Sequence, residues 1–79
     1  MKQKFIKPNL LTMKEKWPST IVARQEVRNF TGGAMSEKYL ANLDSQMKGP
    51  GERFKIGRKV VYPVDSMLRW LEARMEDEA

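Results

Sequence analysis

Three stretches with helical spacing of apolar residues, and one short alternating stretch broken at a glycine, predict a small α+β domain that is mostly α. Its expected parts are three helices and a two-stranded β-hairpin. The first helical stretch is ARQEVRNF, in which Ala23, Val27 and Phe30 recur at i, i+4 and i+7. Thr31, Gly32 and Gly33 stop it, because glycine takes the left-handed conformation of a sharp turn at little steric cost. Its start is less marked: Ser19 and Thr20 are good caps for an early start, and Ala23 is a poor one for a late start.

The second helix is SEKYLANLDSQM. Ser36 is its N-cap, Glu37 lies in the first turn where the helix dipole favours an acid, and Leu40, Leu43 and Met47 share one face. Gly49, Pro50 and Gly51 end it. In RFKIGRKVVYP, Phe54, Ile56, Val60 and Tyr62 are expected on the buried face of a tight hairpin, with Lys55 and Val61 interleaved and Gly57, Arg58 and Lys59 at the tip. Pro63 cannot continue a central strand but suits the start of a helix. Beyond it Val64, Met67, Leu68, Leu71 and Met75 form a strong amphipathic stripe. Trp70 is expected in the core beside them, and Asp65 and Arg74 suit the two ends of that helix.

At 79 residues the chain allows one domain. A domain of this size buries only about 60% of the surface its unfolded chain exposes. The division expected is a Lys-rich N-terminal arm over residues 1–19, a folded domain over 20–75 and an acidic tail over 76–79. Leu10, Leu11, Met13 and Trp17 are many large apolar groups for a solvated arm, so part of it is expected to dock or to form a short helix. With no Cys and no His, the chain has no disulfide and no thiolate or imidazole metal ligand, and it lacks the commonest general base. No catalytic residue, metal site or cofactor is expected, and the protein does not read as an enzyme. No apolar run approaches the roughly 20 residues that span a bilayer. The Lys-rich beginning has no apolar core of a secretory signal, so no membrane partner and a cytoplasmic location are expected.

The net charge of +5 points to an anionic partner, and its distribution matters more than its total. Residues 1–16 carry five Lys against Glu15. Residues 52–62 carry Arg53, Lys55, Arg58 and Lys59 against Glu52, whereas residues 63–79 are net acidic.

Two short helices joined by a Gly-containing turn form either a helix-turn-helix or a plain corner in a small core. The exposed face of the second helix favours DNA, because it is polar, small and nearly free of acid. Asn42 can bond an adenine edge and Lys38 a guanine or a phosphate, while Ser36, Tyr39 and Ser45 can reach phosphates or base edges. Asp44 counts against docking if it faces the groove. Lys and Arg on a hairpin can simply protect an edge strand from aggregation. Four cations within residues 53–59 exceed that need, and favour a wing whose tip, with Arg58 and Lys59, touches the DNA backbone or minor groove.

The ordered set of these pieces resembles the excisionase and AlpA-like group of small winged helix-turn-helix proteins, relatives of the MerR-type DNA-binding domain. The resemblance runs over residues 22–71: ARQEV for the first helix, FTGGAMSEKYLANLD for turn and recognition helix, FKIGRKVVYPVD for wing and return, and MLRWL for the closing helix. It implies an accessory DNA-binding protein of phage or other mobile elements, acting in excision or in transcription regulation. Ser36, Lys38, Tyr39, Asn42, Arg58 and Lys59 would contact double-stranded DNA, and an integrase or recombinase or a second copy on DNA would be further partners. The alternative is an adaptor of the same fold that binds an integrase or regulator through the last helix and a Met-rich surface. The chain departs from the group at Met47, where a glycine commonly closes the recognition helix. From this the helix is expected to run on toward Gly49, or Met47 to pack inward.

Overall fold

A computed structural model describes residues 10–75. Among them are four α-helices and a three-stranded antiparallel sheet of order β1-β3-β2. The helices are α1 (Leu10–Lys16), α2 (Val27–Phe30), α3 (Glu37–Ser45) and α4 (Val64–Arg74). The strands are β1 (Ile21–Ala23), β2 (Phe54–Ile56) and β3 (Lys59–Pro63), and a 3-10 turn, Arg24–Glu26, joins β1 to α2. The acidic tail expected over 76–79 and the first half of the arm lie outside the described residues.

The expectation of three helices and a two-stranded hairpin is corrected in two places. Ala23 does not open a helix: its backbone is extended (φ −71°, ψ 143°), and it pairs with Val61 as Val22 pairs with Tyr62. Short β-branched sequence is undecided by itself, and here the edge of β3 not paired with β2 recruits Ile21–Ala23 as a third strand. The other addition is α1. Its Leu10 and Met13, and Trp17 beyond it, pack on the core, with the Trp17 ring edge-on to Phe30 at 5.1 Å. The Trp17 indole N–H donates to the Ile21 carbonyl at 2.8 Å, and Lys14 pairs with Asp65 of α4 at 2.8 Å. That pairing holds the Asp65 carboxyl below its ordinary range.

The core lies between α2, α3, α4 and one face of the sheet, and comprises Val22, Val27, Phe30, Leu40, Tyr62, Val64, Met67, Leu68 and Leu71. Fully burying an aliphatic side chain of this kind contributes about 1.5–3 kcal/mol, a sizeable fraction of the about 5–15 kcal/mol by which a folded domain is stable. Trp70 is only partly buried, at the rim of the core, where its indole donates to the Lys48 carbonyl at 2.9 Å and Arg74 lies over its ring.

The hairpin differs from its expected facing. Its turn is Gly57-Arg58 alone, with Ile56 opposite Lys59 and Phe54 opposite Val61. Gly57 has φ +62° while Arg58 does not enter the positive region, the signs of a type II′ turn. A two-residue turn makes every even-numbered residue of β2 face an odd-numbered one of β3. Phe54 and Ile56 therefore share the face of Val61 and Lys59, opposite to Val60 and Tyr62, and are 45% and 55% exposed.

Met47 follows neither expected course. α3 ends at Ser45, and Met47 itself takes the left-handed conformation with φ 61° while 84% exposed. Its N–H donates to the Asp44 carbonyl at 3.0 Å and the Lys48 N–H to the Leu43 carbonyl at 2.8 Å. These two bonds make a Schellman cap in which methionine fills the position that usually belongs to glycine.

Candidate nucleic-acid interface

α3 begins as its sequence dictates. The Ser36 hydroxyl accepts from the Tyr39 N–H at 3.1 Å, so that oxygen is engaged in capping. Lys38, Asn42 and Ser45 stand at i, i+4 and i+7 and line one exposed stripe. The side chains of Lys38 and Asn42 have no partner among the described residues. Ser45 is turned onto its own helix, donating to the Asn42 carbonyl at 2.7 Å. Tyr39 lies on the flank, where its hydroxyl accepts from Arg74 of α4 at 3.0 Å.

Asp44, the acid that could have spoiled this stripe, points inward and is 3% exposed. Its Oδ2 accepts from the Arg24 guanidinium at 2.6 Å and from the Tyr62 hydroxyl. Its Oδ1 faces Arg53 at 3.3 Å as an ion pair, without hydrogen-bond geometry to any group. Arg24 also donates to the Tyr62 oxygen at 3.0 Å, closing a triangle that joins the 3-10 turn, α3 and β3. Burial, reinforced by the bond to Asp44, pushes the Tyr62 phenol up to about 12. Burial acts to lower the Arg24 pKa, but its bonds to Tyr62 and Asp44 outweigh this and raise it. Gly49 closes the arrangement: a Cβ there would stand 1.8 Å from Asp44 Oδ1.

The hairpin tip sits beside the first turn of α3, since Arg58, Lys59 and Glu37 line one cleft together with Arg24, Gln25 and Val60. Lys59 donates to Gln25 Oε1 at 2.6 Å. Arg58 and Lys55 are exposed and without a side-chain partner among the described residues. Of the predicted site residues, the fold thus aligns Lys38, Asn42 and Ser45 and sets Arg58 and Lys59 near the start of α3. Ser36 and Tyr39 stand off that stripe. Gln25 and Arg24 were not singled out from sequence, and Arg53, expected among the cations of the wing, pairs with Asp44 instead; the partners of the three lie 34, 20 and 9 residues away, beyond any local pattern.

Among the described residues no helix is long and apolar enough to cross a membrane, and no group of three or more acidic, His or Cys side chains could hold a metal ion. No family model, curated protein or solved structure matches this chain.

Proposed function

We propose that this protein binds double-stranded DNA sequence-specifically as a small winged helix-turn-helix regulator of the excisionase or AlpA type. α3 would enter the major groove and the β2–β3 hairpin would act as the wing on backbone or minor groove. The observation that carries the reading is the inward turn of Asp44, which leaves the Lys38, Asn42 and Ser45 stripe free of acid. Nine residues at about 1.5 Å each make a rod of about 14 Å, a fit for a groove about 12 Å wide. In this arrangement Asn42 reads a base edge, Lys38 a guanine or a phosphate, and Arg58 and Lys59 hold the backbone. An integrase or recombinase, or a second copy bound alongside, would be partners on the same DNA.

Fluorescence anisotropy on duplex DNA tests this. Four engaged cations predict that log K falls with log salt with a slope of about −4, and absence of binding at low salt would overturn the reading. Asn42→Ala is expected to relax sequence preference, and Arg58→Ala to weaken binding to all sequences and flatten the slope by about one unit.

A second reading, an adaptor for an integrase or transcription regulator, draws support from a mostly apolar hollow of about 310 Å³ lined by Met13, Ala34, Met35, Leu71 and Met75, with Thr31 and Arg74 also in its wall. Methionine suits surfaces that adapt to a partner. Retention of an integrase by this chain at high salt, without DNA, would favour it.

A further inference from the structure

We infer that Gln25, fixed by Lys59, donates to a phosphodiester of the DNA backbone in the cleft between the 3-10 turn and the hairpin tip. The inference rests on the DNA-binding reading and extends it to a residue outside both the recognition helix and the wing.

An ammonium group only donates, so the oxygen of the Gln25 amide must be the atom facing Lys59. That fixes the amide orientation and leaves its Nε2–H₂ to donate elsewhere. Because the acceptor is a neutral amide, the full charge of Lys59 stays uncompensated, and two of its three N–H bonds remain available. Arg58 brings a second uncompensated cation to the same cleft. Arg24 also lines it, but its charge is matched by Asp44. The cleft measures about 180 Å³, room for a phosphate group with its waters.

Glu37, which also lines the cleft, sets the kind of anion. Against Arg58 and Lys59 it leaves an excess of one positive charge, which suits the single charge of a phosphodiester better than the double charge of a phosphate monoester. Phosphate contacts of this sort set the register of a protein on its duplex without reading sequence. By pinning the hairpin to the turn that precedes α2, the Gln25–Lys59 bond fixes where the backbone lies relative to α3.

The test follows the side-chain amide of Gln25 and the Nε–H of Arg58 by ¹⁵N NMR in the full chain, on titration with a short mixed-sequence duplex and, separately, with inorganic phosphate. Both signals are expected to move together with duplex, to return on adding salt, and to stay unmoved at equal concentrations of inorganic phosphate. Gln25→Glu removes the donor and neutralises Lys59, and should lower affinity for every duplex about tenfold. Gln25→Ala should lower it less, and Glu37→Gln should raise it, with the melting temperature of each variant held near that of the parent. If the parent binds duplex and Arg58→Ala weakens it while both Gln25 variants are silent, the clamp is overturned and DNA binding stands. If the parent binds no duplex, both are overturned. Movement of Gln25 with inorganic phosphate alone would overturn the phosphodiester assignment.

Discussion

Arg24 and Arg53 on one side, Lys55 and Arg58 on the other, are the same kind of charge put to opposite uses. The first two are turned onto the buried Asp44 and tie α3 to the 3-10 turn and to the segment just before β2. The other two stand on the hairpin in solvent without a partner among the described residues. The lesson is that the basic run from Arg53 to Lys59 overstates what is available to a ligand. Arg53 is held 3.3 Å from the interior acid that Arg24 also pairs with, Lys59 keeps its charge but is oriented by Gln25, and only Lys55 and Arg58 are without a side-chain partner among the described residues.

The largest expected effect breaks the inner set. Asp44→Ala leaves the fully buried Tyr62 hydroxyl and the largely buried Arg24 guanidinium without their carboxylate acceptor, and should destabilise the domain by about 3 kcal/mol in urea unfolding. A loss below about 1 kcal/mol, the range of surface pairs, would place Asp44 in the same category as the hairpin charges.

Next comes pH. The Tyr62 phenol is raised from its usual 10.0 to about 12, so the folded state holds the proton over a range in which the unfolded chain releases it. The stability this contributes is complete below about pH 10 and is lost as the pH climbs toward about 12. NMR of the Tyr62 ring should show a midpoint near 12, and a midpoint near 10 would mean that the Tyr62 phenol is open to solvent.

Met47 sharpens the comparison from the same end of α3, where the anchored helix terminus carries a strained residue. A left-handed non-glycine costs about 1–2 kcal/mol, partly offset in glycine by unfolded-chain entropy. Met47→Gly should therefore stabilise by about 1 kcal/mol and raise the melting temperature by about 4–8 °C. The smallest effect belongs to the outer set: Arg58→Ala should change stability by less than about 0.5 kcal/mol. A larger loss would show that the tip supports the fold after all.

How far the sequence reached can be judged on particular elements. α4 was legible because four of the five apolar positions expected at helical spacing, Val64, Met67, Leu68 and Leu71, are the ones it buries, while Met75 follows its end in extended backbone and is only partly buried. Ser36 was legible because a cap is a local interaction. The stripe of Lys38, Asn42 and Ser45 followed from the period of α3 alone. α1 was only half legible, since a seven-residue helix is too short to hold itself in water and exists through packing of Leu10 and Met13 on the domain. β1 depends on a partner strand some forty positions later, and nothing local marks Ile21–Ala23 as strand over helix. The conformation of Met47 runs against residue preference, and only the two cap bonds explain it. The Asp44 arrangement was invisible for the opposite reason: at its place in the helix an aspartate reads as solvated until its distant partners are known.

The two-residue turn at Gly57-Arg58 carries a consequence for how this hairpin could change through descent or engineering. Because the number of turn residues fixes which strand positions oppose one another, a single inserted or deleted residue would exchange the faces of β2 without altering any of its side chains. Phe54 and Ile56 would turn to the side of Val60 and Tyr62, and Lys55 would take their place. Length variation at this tip therefore acts as a coarse selector between an apolar and a cationic outer surface, a route by which relatives of one sequence could acquire different partners.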